Sequence, residues 1–364
     1  MATVEEASPF NSLPNDVVQD ILSRLTVKTL LTLRSVSKSL RSIISDPSFT
    51  RIHLNRQRLG TLFLRIIPNP NPYGSYPPFY FSLVRLTKDG SFQLESGNLK
   101  GPRPSWRTVV LGSCDGVLLL TNHYSCKSFM LWNPLTRSKA FFRFQYKFKP
   151  EKAIYGLVYI PGTNDFKAVI AYDNYYSVYS FDNKSWNHKC GFRYGSWNFT
   201  STTGIWISAD GVSYWLATDP VSKGVEIIYF DPRDDDFKPV GVLKEFGDVS
   251  KYWLDCVRDC LCLLYYTKFD QTKARMLKKE KGVNNVTWNV IENEDPMGIL
   301  FRPVRISEKK SIVLELDRIE WYSGVINYTS SQVTLIPCRE SLLLNIEKSR
   351  KGKRKQSEAL ELQK

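Results

Sequence analysis

Residues 13–54 read LPNDVVQDILSRLTVKTLLTLRSVSKSLRSIISDPSFTRIHL, the one helical stretch in a chain that otherwise reads as strands. Pro14 takes the place of a first helical residue, where its missing N–H costs nothing. Asp16 puts a negative charge in the first turn, where the helix dipole favours it. Val17, Val18, Ile21, Leu22 and Leu25 recur at helical spacing and make one broad apolar face. Thr26-Val27-Lys28 breaks this pattern before a short turn at Leu30-Leu31. A second set, Leu33, Val36, Leu40, Ile43 and Ile44, lies along one side, with Arg34, Ser37, Lys38, Arg41 and Ser42 opposite. Asp46 then caps, and Pro47 starts, a last helix that carries Phe49 and Ile52.

Three to four short helices of this size cannot bury so much apolar surface among themselves. Either they pack on the domain that follows, or the surplus face docks a partner. Both readings are open at this point.

From Gly60 to about Glu347 the period changes. Each unit runs as an apolar strand, a turn, a second strand, a third strand ending in an aromatic–Asp/Asn pair, and a polar turn into a fourth. The pair recurs as Trp132-Asn133-Pro134, Phe181-Asp182-Asn183 and Phe230-Asp231-Pro232, at intervals of 49 residues. Fainter echoes lie at Leu86-Thr87-Lys88, Leu277-Lys278 and Ile326-Asn327. The period predicts a propeller-like all-β domain of four-stranded blades, about six in number. Asp89-Gly90, Asp115-Gly116 and Asp210-Gly211 are hairpin signals between apolar runs.

Composition agrees with a folded protein: 42% of the 364 residues are hydrophobic and 13% aromatic, too many for disorder. No apolar run reaches the roughly 18–20 residues a membrane span needs. The opening residues, MATVEEASPFNSLP, lack the order of a secretion signal, so the expected location is intracellular, in nucleus or cytoplasm. Seven cysteines in no paired spacing fit that compartment. The expected layout is a flexible terminus at 1–9, a helical module at 10–56, the strand domain at 60–345 and a basic, disordered tail at 346–364. Lys348, Arg350, Lys351, Lys353, Arg354 and Lys355 crowd into that tail, and subtracting these six from the net charge of +14 leaves +8. The run reads as a solvated tail that keeps the protein soluble, with a nuclear-localisation or nucleic-acid patch as the alternative.

The chain offers little for catalysis. His53, His123 and His188 stand in unrelated contexts and read as surface or loop residues, without the nucleophile and orienting group a base needs. Cys256, Cys260 and Cys262 lie close together, but the last two fall in a buried-strand pattern and no paired ligand set accompanies them. Neither a phosphate-binding loop nor a dinucleotide fingerprint is present. No cofactor and no metal are expected. Asp234-Asp235-Asp236 reads as a solvated turn rather than a cation grip. In Phe141–Lys149, FFRFQYKFK, cations interleave with aromatics as in single-strand binders, yet a half-buried strand alternates in the same way. Tyr73-Gly74-Ser75-Tyr76, Tyr175-Tyr176 and Trp197-Asn198-Phe199 are aromatic loop candidates that read equally as strand-end packing.

Two resemblances join these observations. Leu13-Pro14-x-Asp16-Val17, Ile21-Leu22-Ser23-Arg24-Leu25, Val27-Lys28-x-Leu30, Arg34-x-Val36-x-Lys38 and Asp46-Pro47-x-Phe49 resemble an F-box. CDGVLLL at 114–120, LWNPLTR at 131–137, YGLVYIPGTNDFKAVIAY at 155–172, VYSFDNKSW at 178–186, GIWISADGVSYWLATD at 204–219 and IIYFDP at 227–232 resemble the F-box-associated domain of plant F-box proteins. The resemblance implies a kelch-like, propeller-type interaction domain. It also implies a non-catalytic substrate receptor of a Skp–cullin–F-box (SCF) ubiquitin ligase, with a Skp-type adaptor, through it a cullin, and a target protein as partners. Leu13 and Pro14 match the family's adaptor-contacting pair, and Val17, Ile21, Leu22, Leu25, Val36 and Leu40 complete the expected adaptor-binding set. The family commonly has Pro where this chain has Thr26, Cys at Ser37 and Trp at Leu40. The smaller Leu40 implies a weaker grip, since Trp is a typical hot-spot residue. A non-ligase scaffold and an RNA-contacting propeller are the alternatives.

Overall fold

The computed structural model of the chain describes residues 13–57, 62–68, 79–86, 92–99, 108–122, 127–148, 153–163, 165–199, 207–209, 211–242, 249–257, 260–267, 272–279, 286–290, 304–306, 312–314 and 334–344. The expectations for residues 1–9, Tyr73–Tyr76, Asp89-Gly90, His123, Asp210, Ile326-Asn327 and the basic tail lie outside the described residues.

Four helices come first: α1 (Asn15–Ser23), α2 (Val27–Val36), α3 (Lys38–Ile44) and α4 (Pro47–Arg56). Pro14 has an extended ψ of 143° and stands one place before α1 as its cap, not inside it as expected. The break expected over Thr26-Val27-Lys28 lies before Val27. Thr26 is extended, its hydroxyl accepts from the Thr29 amide at 3.3 Å, and Val27, Lys28 and the Leu30-Leu31 pair belong to α2. The single apolar side expected from Leu33 to Ile44 is cut at Ser37. That residue is extended, and its hydroxyl accepts from the Leu40 amide at 3.5 Å to start α3. Asp46 caps α4 as expected, and the Ser48 hydroxyl and amide hold its carboxyl below the usual range.

Val18, Leu22, Val27, Leu30, Ile44 and Phe49 form the helical core. His53 is inside it as well, contrary to the expected surface position. Its Nε2 lies 2.9 Å from the Leu25 carbonyl oxygen, and burial lowers its pKa.

The strands form antiparallel sheets. The first holds β1 (Leu62–Pro68), β2 (Phe79–Leu86) and β3 (Phe92–Leu99). The second is β4 (Thr108–Cys114), β5 (Val117–Asn122), β6 (Ser128–Trp132) and β7 (Lys139–Arg143). The third is β8 (Ile154–Ile160), β9 (Asp165–Tyr172), β10 (Tyr175–Ser180) and β11 (Ser185–Cys190). The fourth contains β12 (Asn198–Phe199), β13 (Ile207–Ala209), β14 (Val212–Thr218), β15 (Val225–Asp231) and β16 (Asp236–Val242). The fifth is β17 (Val249–Val257), β18 (Cys260–Thr267), β19 (Thr272–Lys279) and β20 (Val286–Val290), so Cys260 and Cys262 do lie in a strand. A pair, β21 (Val304–Ile306) and β22 (Ile312–Leu314), is the sixth. β23 (Thr334–Cys338) returns to pair with β1, so the end of the chain completes the first sheet.

The inner strands β23, β4, β8, β14 and β17 adjoin one another through neighbouring pairs and through β13. Six antiparallel sheets among the described residues, one of them the β21–β22 pair, make the domain propeller-like, as the 49-residue period predicts. Cys114 pairs with Val117 across Asp115-Gly116, whose φ values of 46° and 78° are those of a tight hairpin turn. The Asp234–Asp236 turn is not simply solvated. Lys167 reaches Asp235 Oδ1 at 2.6 Å, Tyr176 donates to Asp236 Oδ1 at 3.1 Å, and Lys189 donates to the Asp235 carbonyl at 2.8 Å. These contacts stitch the third sheet to the fourth.

Candidate functional site

The helical module presents an uncovered apolar surface. Leu13 is 41%, Val17 39%, Ile21 41% and Val36 72% exposed. Val17 and Ile21 are four residues apart on α1 and share a face, and Leu13 stands four residues before Val17. Pro14 is exposed beside them. Val36 is the last residue of α2, just before the cut at Ser37, and is the most exposed of the four.

The rest of the expected adaptor-binding set has a different place. Leu22 is only 1% exposed and belongs to the helical core, so in this fold it holds α1 down. Leu25 and Leu40 are half-buried and lean on that core. The two other departures from the family pattern, Thr26 and Ser37, are both N-cap residues, a role the linear motif does not reveal. Across the module, Arg24 and Arg56 grip Asp20 from α1 and α4 and hold its carboxyl below its usual pKa, Arg56 most strongly.

Alternating strand directions decide which side of the propeller the module occupies. The β4–β5 turn at Asp115-Gly116 and the β6–β7 turn after Asn133 lie on the side reached by residues 339–343. The β9–β10 turn at Asp173-Asn174 and the β14–β15 turn at Asp219–Gly224 fall at the opposite strand ends. On that far side Tyr146 and Tyr175 are exposed and stack on His188, with ring centroids 4.3 and 5.5 Å apart. His188 lies in β11, not in a turn, and its Nδ1 is 2.6 Å from the Ser177 hydroxyl. Tyr176, by contrast, is buried, and Trp197 and Phe199 pack on Tyr194 and Phe192.

Phe141–Phe148 is a half-buried strand and its continuation: Phe142 and Phe144 are buried among Tyr179, Phe181 and Trp186, while Arg143, Gln145 and Lys147 face out. Its two central rings are therefore committed to the core, while Phe141 and Tyr146 stay exposed. Among the described residues no group of three His, Cys, Asp or Glu side chains could hold a metal ion. No helix among them is long and apolar enough to cross a membrane.

Known proteins agree with this architecture. The F-box domain family matches residues 10–52, and the F-box associated beta propeller domain family matches residues 86–332. A putative F-box/kelch-repeat protein of Arabidopsis thaliana is 28% identical over 268 residues, covering 63% of this chain and 59% of that protein. A putative F-box protein of the same plant is 27% identical over 219 residues, covering 56% of this chain and 54% of its own length. An F-box/kelch-repeat protein, again from Arabidopsis thaliana, is 26% identical over 350 residues and is covered to 90%, as is this chain. The chain thus spans little more than half the length of the first two relatives and most of the third. With four N-terminal helices, a propeller-like domain of four-stranded sheets and both family matches in register with them, the chain belongs to the plant F-box proteins that carry an F-box associated beta propeller domain.

Proposed function

We propose that this protein is the target-recognition subunit of an SCF ubiquitin ligase. The F-box docks on a Skp-type adaptor, and through it on a cullin, while the far side of the propeller presents a target protein. One observation carries the reading. Four of the nine large apolar side chains exposed among the described residues lie in the small helical module, and Val17 and Ile21 project from one helix face. Side chains of this kind contribute roughly 1.5–3 kcal/mol each when fully buried, so a few suffice for an interface. Leu13, Pro14, Val17, Ile21 and Val36 are the contact residues, with Leu25 and Leu40 shaping the face from behind. The chain itself performs no transfer chemistry in this reading; it supplies selection and proximity. It would act where such ligases assemble, in the cytoplasm or nucleus.

The test is co-purification of adaptor and cullin with the full-length protein and with Val17→Asp/Ile21→Asp. Both changes place charge on exposed positions, so the fold survives while the interface is lost. Retention of both partners by the double variant would sink the site assignment. Binding of the adaptor without a cullin would favour the scaffold reading.

A further inference from the structure

α4 ends at Arg56 and β1 starts at Leu62, so five positions of sequence separate the F-box from the propeller. A single covalent connection of that kind leaves the relative orientation of two domains free by default. A second connection arrives from the opposite end of the sequence. β23 ends at Cys338, opposite Leu62 in β1, and the following residues run between the two domains.

Each residue of this strap has its own anchor. Arg339 pairs with Asp115 in the β4–β5 turn at 3.0 Å. A Cβ on Gly116 would fall 2.2 Å from the Arg339 carbonyl oxygen, so the strap lies flat against that turn. Asn133, fully buried, donates to the carbonyls of Ser341 at 2.9 Å and Leu343 at 3.1 Å. Leu342 inserts into the F-box core beside Val18, Leu22 and Phe49, whereas Leu343 inserts into the propeller core. Adjacent side chains of one extended segment thus fill different domains.

Glu340 sits at the centre. Its Oε2 accepts from the Val27 amide at 2.9 Å, one of the N–H groups that α2 leaves without a helical partner. Its Oε1 accepts from Arg85 of β2 at 2.5 Å, and the carboxylate is nearly buried. One side chain therefore ties an F-box helix, a propeller strand and the strap. The negative charge at the start of α2 is also favoured by the helix dipole.

We infer that residues 338–344 form a strap that fixes the attitude of the F-box on the propeller, and that Glu340 is the positioning residue that sets it. The consequence for ligase geometry rests on the function proposed above: a fixed attitude fixes the span from adaptor to bound target, which sets the effective concentration of one against the other. The strap itself is independent of that reading.

The experiment measures the distance distribution between spin labels on the free full-length protein. Labels are carried by genetically encoded non-natural residues at the exposed positions Ser39 in the F-box and Val221 in the propeller. The wild type should give one narrow distribution. Glu340→Ala should broaden it about twofold, because α2 and Arg85 lose their shared anchor while Leu342 alone of the strap still holds the F-box core. Glu340→Gln keeps an oxygen for the Val27 amide but loses the charge against Arg85, and should fall between. Glu95→Gln, which removes the other carboxylate on Arg85, is the control and should leave the width unchanged. A role in stability alone would lower the melting temperatures of both Glu340 variants without changing the width, and that result overturns the proposal. If Glu340→Ala fails to fold, Glu340→Gln alone decides. Adaptor affinity should stay within about threefold of wild type in both, because Glu340 meets Val27 and Arg85 and none of the exposed side chains of α1. If the wild type binds no adaptor, the proposed function fails and the strap stands.

Discussion

The side-chain amide of Asn133 donates to the backbone carbonyl of Ser341 at 2.9 Å, across 208 positions of sequence. The same amide reaches Leu343, and its oxygen accepts from the amides of Leu135 and Thr136, so every polar capacity of the buried group is used. Asn133→Asp keeps the turn-forming oxygen but exchanges the donor for a second acceptor facing two carbonyls. The expected cost is about 1–3 kcal/mol, read as a lower urea midpoint at pH 7. Asp182, the equivalent position one repeat later, is exposed, and Asp182→Ala should change the midpoint far less.

Asp231 holds the third equivalent position and is nearly buried. Hydrogen bonds from Arg233, and then from Lys238 at 2.8 Å, hold its carboxyl well below the usual carboxylate range. Because the folded-state value lies below the unfolded one, the stabilisation is present above about pH 4–5. It declines as pH falls and is lost only below the depressed value. Asp231→Asn should therefore destabilise the protein at pH 7 and flatten the fall in stability from pH 5 to pH 2. Urea midpoints across that range check it; equal slopes in variant and wild type would contradict it.

Thr26 and Ser37 stand where the family pattern commonly has Pro and Cys, and both cap helices here. Thr26→Ala and Ser37→Ala should each cost about 1 kcal/mol of F-box stability. Hydrogen exchange at the first amides of α2 and α3 would register the loss as faster local opening. Adaptor binding should weaken more for Ser37→Ala, because α3 also carries Leu40 and the Ser37 break sets the direction of exposed Val36.

Much of the architecture was legible in the chain. Asp46-Pro47 marked a helix start, Asp115-Gly116 a two-residue hairpin and the LCLLYY run a strand, because each depends on local backbone preference. The 49-residue recurrence of the aromatic–Asx pair gave the sheet repeat, since a repeat is itself a sequence property. The site was legible only in part. Helical spacing put Leu22 with Val17 and Ile21, but spacing shows that residues share a face, not which edge of that face another helix covers. Ser37 read as one polar residue along a continuous helix, because a hydroxyl's value as a cap depends on the backbone already turning there.

By itself, then, the sequence determined the helical module, the propeller-like repeat, the turns and the set from which a docking face could be drawn. These follow from propensity, period and composition, all local or periodic properties. Only the tertiary structure decided that Leu22 is core, that His53 is buried, and that the Asp234–Asp236 run stitches two sheets. It alone decided that Glu340 meets Val27 and that Leu342 and Leu343 serve opposite cores. The physical reason is common to all of them. Burial and hydrogen-bond partnership arise between segments hundreds of residues apart, and nothing in either segment's own pattern specifies which partner the fold will bring to it.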